Sequence, residues 1–252
     1  MKIETVSILG IPVAKMTMAE VLDWIRIMVE QGKSRHVVTA NAEIIHKANR
    51  EPEFFRMINK ADLITADGSG VIWAAKLLGN PLPERVTGID LVQQLFNLAE
   101  AKGWKLYFLG AAPEVVEKAV LATLSKHPLL QIAGYRDGYY SQEEIQDVVE
   151  NIAQSKPDIL LVGMGAPRQE IFIQEHLSQL NATIAIGVGG SFDVLAGKVN
   201  RAPKWMQKAG LEWLYRLSKE PKRFWRMTAL PRFVIKILGQ KLFSKKRTRT
   251  SR

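Results

Sequence analysis

Asp67 lies in Thr65-Ala66-Asp67-Gly68, directly after a β-rich run. A carboxylate at such a place can take the proton from an attacking hydroxyl. The same residue can instead cap a helix starting near Ser69 or close an Asx turn, and its placement alone favours that use, because Asp-Gly is common in turns. Thr39-Ala40-Asn41-Ala42-Glu43 sets a hydroxyl, an amide and a carboxylate at alternate positions. Such groups can position sugar hydroxyls or an acetamido group; equally, Asn41 can cap a helix with Glu43 in its first turn. In Arg85-Val86-Thr87-Gly88-Ile89-Asp90 a cation precedes a helix start, so Arg85 either grips a phosphate bidentately or makes a surface ion pair. Thr87 reads as a cap.

Two glycine-rich strand exits follow. Gly163-Met164-Gly165-Ala166-Pro167-Arg168-Gln169-Glu170 runs from a buried strand through small residues into a helix with proline near its start. Free N–H groups there can receive an anion, with Arg168 and Gln169 placed to read a nucleotide or sugar, although a tight turn needs glycine in any case. Gly187-Val188-Gly189-Gly190-Ser191-Phe192-Asp193 would let backbone approach a ligand closely. Arg201, at the start of the basic region, faces either a phosphate or solvent. Other chemistries lack their signatures. There is no Walker A sequence and no GxGxxG, and without cysteine there is no thiolate ligand or nucleophile. The four histidines have no metal-ligand spacing, and no Asp-x-Asp is present, so no metal or other cofactor is expected.

The elements that must position these residues alternate along the first 200. Strands are expected over 4–9, 36–39, 62–65, 104–109, 131–135, 158–162 and 183–188. Helices are expected over 18–31, on either side of Pro52, over 69–78 and 88–102, from Pro113, after Ser141 and from about Pro167. Thr17 with Glu20, and Ser141 with Glu144, read as capping boxes. This rhythm predicts an α/β fold with a largely parallel, Rossmann-like sheet and helices on both faces. Ligands of such folds sit outside the carboxyl ends of the strands, where the motifs above fall.

Charge divides the 252 residues at about position 200. Residues 201–252 hold 16 Lys and Arg against two acidic residues, +14, which leaves −4 on residues 1–200. The chain therefore reads as an α/β core over 1–200 and a basic, amphipathic helical appendage over 201–252. Within the appendage Met206, Ala209, Gly210, Trp213, Leu214 and Leu217 keep helical spacing. Phe233, Val234, Ile237 and Leu238 form an apolar face, with Arg232, Lys236 and Gln240 opposite. Arg216, Lys219, Arg223 and Arg226 would share a face if the helix ran on across Pro221. A basic amphipathic segment points to an anionic membrane surface rather than nucleic acid, because its aromatics follow core spacing and do not form stacking platforms. No run is long enough for a transmembrane helix, and Glu4 and Pro12 interrupt the amino-terminal apolar stretch, so a cytoplasmic protein is expected.

Taken in order, these motifs resemble the WecG/TagA/CpsF glycosyltransferases from about residue 5 to residue 240, and most closely the branch that builds the wall teichoic acid linkage unit. The resemblance implies an inverting, metal-independent transfer of N-acetylmannosamine from UDP-N-acetylmannosamine. The implied acceptor is the 4-hydroxyl of N-acetylglucosamine on undecaprenyl diphosphate. It further implies that Asp67 is the base, that Thr39, Asn41 and Gln169 serve the sugar, and that Arg85 contacts phosphate or leaving group. Arg168, Gly187, Gly189 and Asp193 complete the expected binding set. By the same resemblance the appendage associates with the inner face of the membrane, where Arg216, Arg223 and Arg226 close the site. Relatives using UDP-N-acetylmannosaminuronic acid or UDP-glucose for other surface polysaccharides are the alternative. A nucleotide-binding regulatory or oxidoreductase domain and a nucleic-acid-binding module are the rivals from other classes; a homo-oligomer is an open option.

Overall fold

A computed structural model describes residues 3–220 and 224–250, with side chains at 226 and 243–250 outside the description. Six strands form one parallel sheet: β3 (Arg35–Ala40), β4 (Leu63–Ala66), β5 (Lys105–Gly110), β6 (Gln131–Arg136), β7 (Ile159–Gly163) and β8 (Ile184–Gly187), in the order β4-β3-β8-β7-β5-β6. Alternation along the strands sends successive side chains to opposite faces. Val37, Ile159, Leu161, Ile184 and Ile186 join one core cluster, packed by α1 (Met18–Gln31), α5 (Gly88–Lys102), α6 (Pro113–Lys126) and α9 (Ser191–Leu195). Val38 and Ile64 face a second cluster, under α2 (Ala42–Ala48), α3 (Pro52–Ile58) and α4 (Ser69–Leu77). Leu160, Val162 and Ala185 face a third, under α7 (Ile145–Ser155) and α8 (Arg168–His176). Both faces are covered, as the near-continuous apolar strands require.

Local signals explain most boundaries. Thr17 and Glu20 exchange side-chain and backbone bonds at the start of α1, and Gly32 closes it in the left-handed conformation. The Ser141 box forms by half: Glu144 accepts the Ser141 N–H at 2.8 Å, but α7 begins only at Ile145. Sequence reading also misses a strand. β1 (Thr5–Ile8) turns through Leu9 and Gly10, both at positive φ, into the antiparallel β2 (Ile11–Ala14). Leu-Gly is not a favoured hairpin pair, and Pro12 argues against a strand, so the turn carries no sequence signal.

The appendage is a series of short helices followed by a longer one. α10 (Lys204–Lys208) and α11 (Glu212–Lys219) are separated at Gly210, whose φ is +73°. Glycine is needed there twice over, since a Cβ would also lie 2.8 Å from that of Ser69. α12 (Phe224–Met227) leads to α13 (Ala229–Thr250). The predicted apolar face of α13 is divided: Phe233 and Ile237 are buried in the second cluster, while Leu238 is exposed with Ile235 and Leu242. On the predicted polar face Arg232 is exposed, while the other two residues are engaged. Gln240 accepts the Leu9 N–H and donates to Ser7 O, both at 2.9 Å, and Lys236 bonds to Asn49. The hairpin and α2 take one side of α13, leaving an outward apolar stripe at i, i+3 and i+7.

Candidate active site

A cleft of about 830 Å³ opens where β3, β4, β7 and β8 end, and α11 to α13 form its opposite wall. These four strands are neighbours in the parallel sheet, in the order β4-β3-β8-β7, and ligands of such folds sit outside the carboxyl ends of the strands. Thr39, Asn41, Asp67, Arg85, Gln169, Gly189, Asp193 and Arg216 all line it.

Asp67 does not cap α4, which starts behind Gly68 with no side-chain cap. Its Oδ2 instead accepts the N–H of Gly88, the first residue of α5, at 3.4 Å. The chain is braced on both sides of the carboxylate, by Asp67 N–H to Ala40 O at 2.8 Å and Val86 N–H to Ala66 O at 3.0 Å. Burial pushes the Asp67 carboxyl up to about 6, against the Gly88 N–H and the charges of Arg216 and Arg85. A carboxylate of that strength is ionised at neutral pH and is a better proton acceptor than an ordinary aspartate.

Thr39, Asn41 and Gln169 are already bonded to backbone. Thr39 Oγ1 donates to Gly187 O at 2.7 Å, and Asn41 Oδ1 caps α2 through the Ile44 N–H at 2.9 Å. Asn41 thus caps α2 and lines the cleft at once. Gln169 Oε1 accepts the N–H groups of Gly165 and Gly189, each at 3.0 Å, and its Nε2 donates to Glu170 Oε1 at 2.7 Å. It therefore clamps the β7 and β8 exit loops together. Gly187 is part of this clamp: a Cβ there would stand 2.6 Å from Gln169 Nε2. Glu170 is fully buried, and burial pushes its carboxyl up to about 7.

Arg168 is not brought to the cleft: its Nη2 donates to Gly138 O at 2.8 Å. Arg201 pairs with Asp90, at 3.2 Å from Nη2 to Oδ2 and closer still from Nη1 to Oδ1, and it lines a neighbouring cavity. Thr87 is the cap of α5, accepting the Asp90 N–H at 3.2 Å. Arg223 lies outside the described residues, and only the backbone of Arg226, in α12, is described. Asp193 is 3.8 Å from Lys198.

Sequence reading missed Glu212. Its carboxylate lies 3.4 Å from Arg85, 3.8 Å from Arg201 and 3.7 Å from Arg216. Only the i,i+4 spacing to Arg216, and an acidic residue in so basic a segment, hint at it in the sequence. The three guanidinium groups gather close enough to Asp67 for their charges to act on it. Among the described residues no three His, Asp or Glu side chains converge as a metal site.

A parallel sheet that delivers one proton-accepting carboxylate, hydroxyl and amide groups and an arginine cluster to a single cleft is laid out for group transfer from a phosphorylated, hydroxyl-rich donor. Residues 6–247 match the Glycosyl transferase WecG/TagA/CpsF family, and the chain belongs to that family. It is similar to proteins named N-acetylglucosaminyldiphosphoundecaprenol N-acetyl-beta-D-mannosaminyltransferase. With the one from Bacillus spizizenii it is 38% identical over 86% of this chain and 84% of that protein. For Staphylococcus aureus strain MW2 the figures are 37%, 96% and 95%, and for Bacillus subtilis strain 168 they are 33%, 94% and 92%.

Proposed function

We propose that this glycosyltransferase moves N-acetylmannosamine from UDP-N-acetylmannosamine to the 4-hydroxyl of N-acetylglucosamine on undecaprenyl diphosphate; its relatives' names give the transferred group and the lipid-linked acceptor. The observation that carries this reading is Asp67 in its cleft, in a chain that aligns with those relatives almost end to end. Asp67 takes the proton of the acceptor hydroxyl as that oxygen bonds to the anomeric carbon. The bond from this carbon to the diphosphate breaks in the same displacement, so configuration inverts and UDP leaves. Arg85 and Arg216 hold the charge that develops on the diphosphate, the part a metal plays in other transferases. Thr39 and Asn41 orient the donor sugar, with Gly189 and Asp193 on the far wall, while Gln169 keeps the floor in shape.

The appendage places this site on the inner face of the membrane. Support comes from its +14 charge and from exposed Phe224, Trp225, Ile235, Leu238 and Leu242. Among the described residues no helix is long and apolar enough to cross a membrane. The test is to offer a panel of UDP-sugars with a short-chain lipid diphosphate acceptor, with and without EDTA, and to identify products by mass spectrometry. N-acetylmannosamine transfer that survives chelation is expected. A product from another UDP-sugar alone, or activity that returns only with Mn²⁺, would overturn the donor or the metal-free mechanism respectively.

A further inference from the structure

A second cavity, of about 720 Å³, shares a wall with the first: Ser69, Arg85 and Gly210 line both. That wall is closed by Ser69 Oγ donating to Gly210 O at 2.9 Å and by the Arg85–Glu212 pair at 3.4 Å. The two cavities differ in charge. The first is lined by equal numbers of carboxylates and Lys or Arg side chains, whereas the second has Arg85, Arg201, Lys204 and Lys208 against Asp90 alone. Asp90 is spent on Arg201, and Arg85 is matched by Glu212. Lys204 and Lys208, one turn apart on α10, are exposed and have no ion pair among the described residues. The uncompensated charge of this cavity is therefore theirs, and it suits a compact dianion.

We propose that the second cavity binds the diphosphate of the lipid-linked acceptor, while the first takes the nucleoside diphosphate sugar. This rests on the reading that both substrates carry a diphosphate. The acceptor's attacking hydroxyl and its diphosphate stand at opposite ends of one sugar ring. If the hydroxyl is to reach Asp67, the acceptor diphosphate must bind beside the first cleft rather than inside it. Arg85, close enough for its charge to act on Asp67, marks that boundary. Trp205, between the two lysines in sequence and 65% exposed, gives the lipid chain an apolar surface on its way out of the cavity.

The test combines Lys204→Glu with Lys208→Glu, both exposed positions whose substitution leaves the core untouched. With soluble short-chain acceptor and no membrane, the acceptor KM is expected to rise about tenfold or more, with the donor KM and the rate at saturating acceptor little changed. Restoring charge with Lys204→Arg and Lys208→Arg should restore the acceptor KM. Separately, with UDP saturating the first cleft, calorimetry should show inorganic pyrophosphate binding to the wild type and not to the Glu variant. This second readout needs no turnover, so it stands even if the panel experiment finds a different transferred sugar. An unchanged acceptor KM, an equal rise in donor KM, or pyrophosphate that binds only by displacing UDP would each overturn the proposal.

Discussion

On the sheet side of the cleft Thr39, Asn41 and Gln169 bond to backbone at 2.7–3.0 Å, whereas on the appendage side Arg85, Arg201 and Arg216 meet Glu212 at 3.4–3.8 Å. The first set is fixed by the same strands and helix starts that make the fold. The second depends on partly exposed ion pairs to Glu212, one from the body and two within the appendage, contacts that contribute little and reform easily. On the proposed function, the sheet side supplies shape and the reactive carboxylate, and the appendage side supplies charge that exchanges Glu212 for a substrate's phosphates. Preorganisation matters most where the bond is made, and adjustable charge suits groups that must arrive and leave.

Breaking the sheet side should cost most. Asp67→Asn keeps shape but cannot accept a proton, so turnover should fall by roughly 10²–10⁴-fold with UDP-sugar binding little altered. The same substitution has a stability signature of definite sign. The folded-state value, about 6, lies above the ordinary 3.8, so the stabilisation from holding that proton is full below 3.8 and is lost as pH rises through about 6. Thermal unfolding should therefore show Asp67→Asn more stable than wild type at neutral pH, by about 1–3 kcal/mol.

The appendage is anchored in the second core cluster by Phe233 and Ile237. Phe233→Ala leaves a cavity under α13 and should destabilise the protein by about 3–5 kcal/mol in denaturant titration. For the same reason, removal of residues from about 210 onward would uncover the second core cluster, so truncation cannot isolate membrane docking cleanly. Gln169→Leu leaves the Gly165 and Gly189 N–H groups without their partner and should cost about 2–4 kcal/mol, with a higher donor KM. Glu212→Gln should have the smallest effect, a few-fold change in donor KM at little cost in stability, because it loosens only the exchangeable side. A Glu212→Gln loss as large as that of Asp67→Asn would erase the contrast between the two walls.

How much of this was legible in sequence follows the range of the interactions. Capping boxes, glycine stops and apolar strands act over a few residues, and α1 and α5 match the expected bounds of 18–31 and 88–102. The strand-end residues that line the cleft were also readable, because the parallel sheet brings such ends together whatever their separation. Orientation was not. Arg168 turns to Gly138, and nothing local says so. Arg201 finds Asp90 across 111 positions and Arg85 finds Glu212 across 127, so the arginine cluster exists only once the chain has folded. The buried half of α13 was hidden too, since an amphipathic stripe looks the same whether it faces a core or a membrane.

The most direct test of the whole account is the rate of the chemical step in a single turnover, measured against pH on both sides of about 6 for wild type and Asp67→Asn. If Asp67 is the base, the wild-type rate should climb about tenfold per unit as the carboxylate forms, level off above about 6, and the Asn variant should be slow with no inflection there. A wild-type rate flat through that range, or an Asn variant that keeps both the rate and the inflection, would contradict the assignment of Asp67 as the proton acceptor.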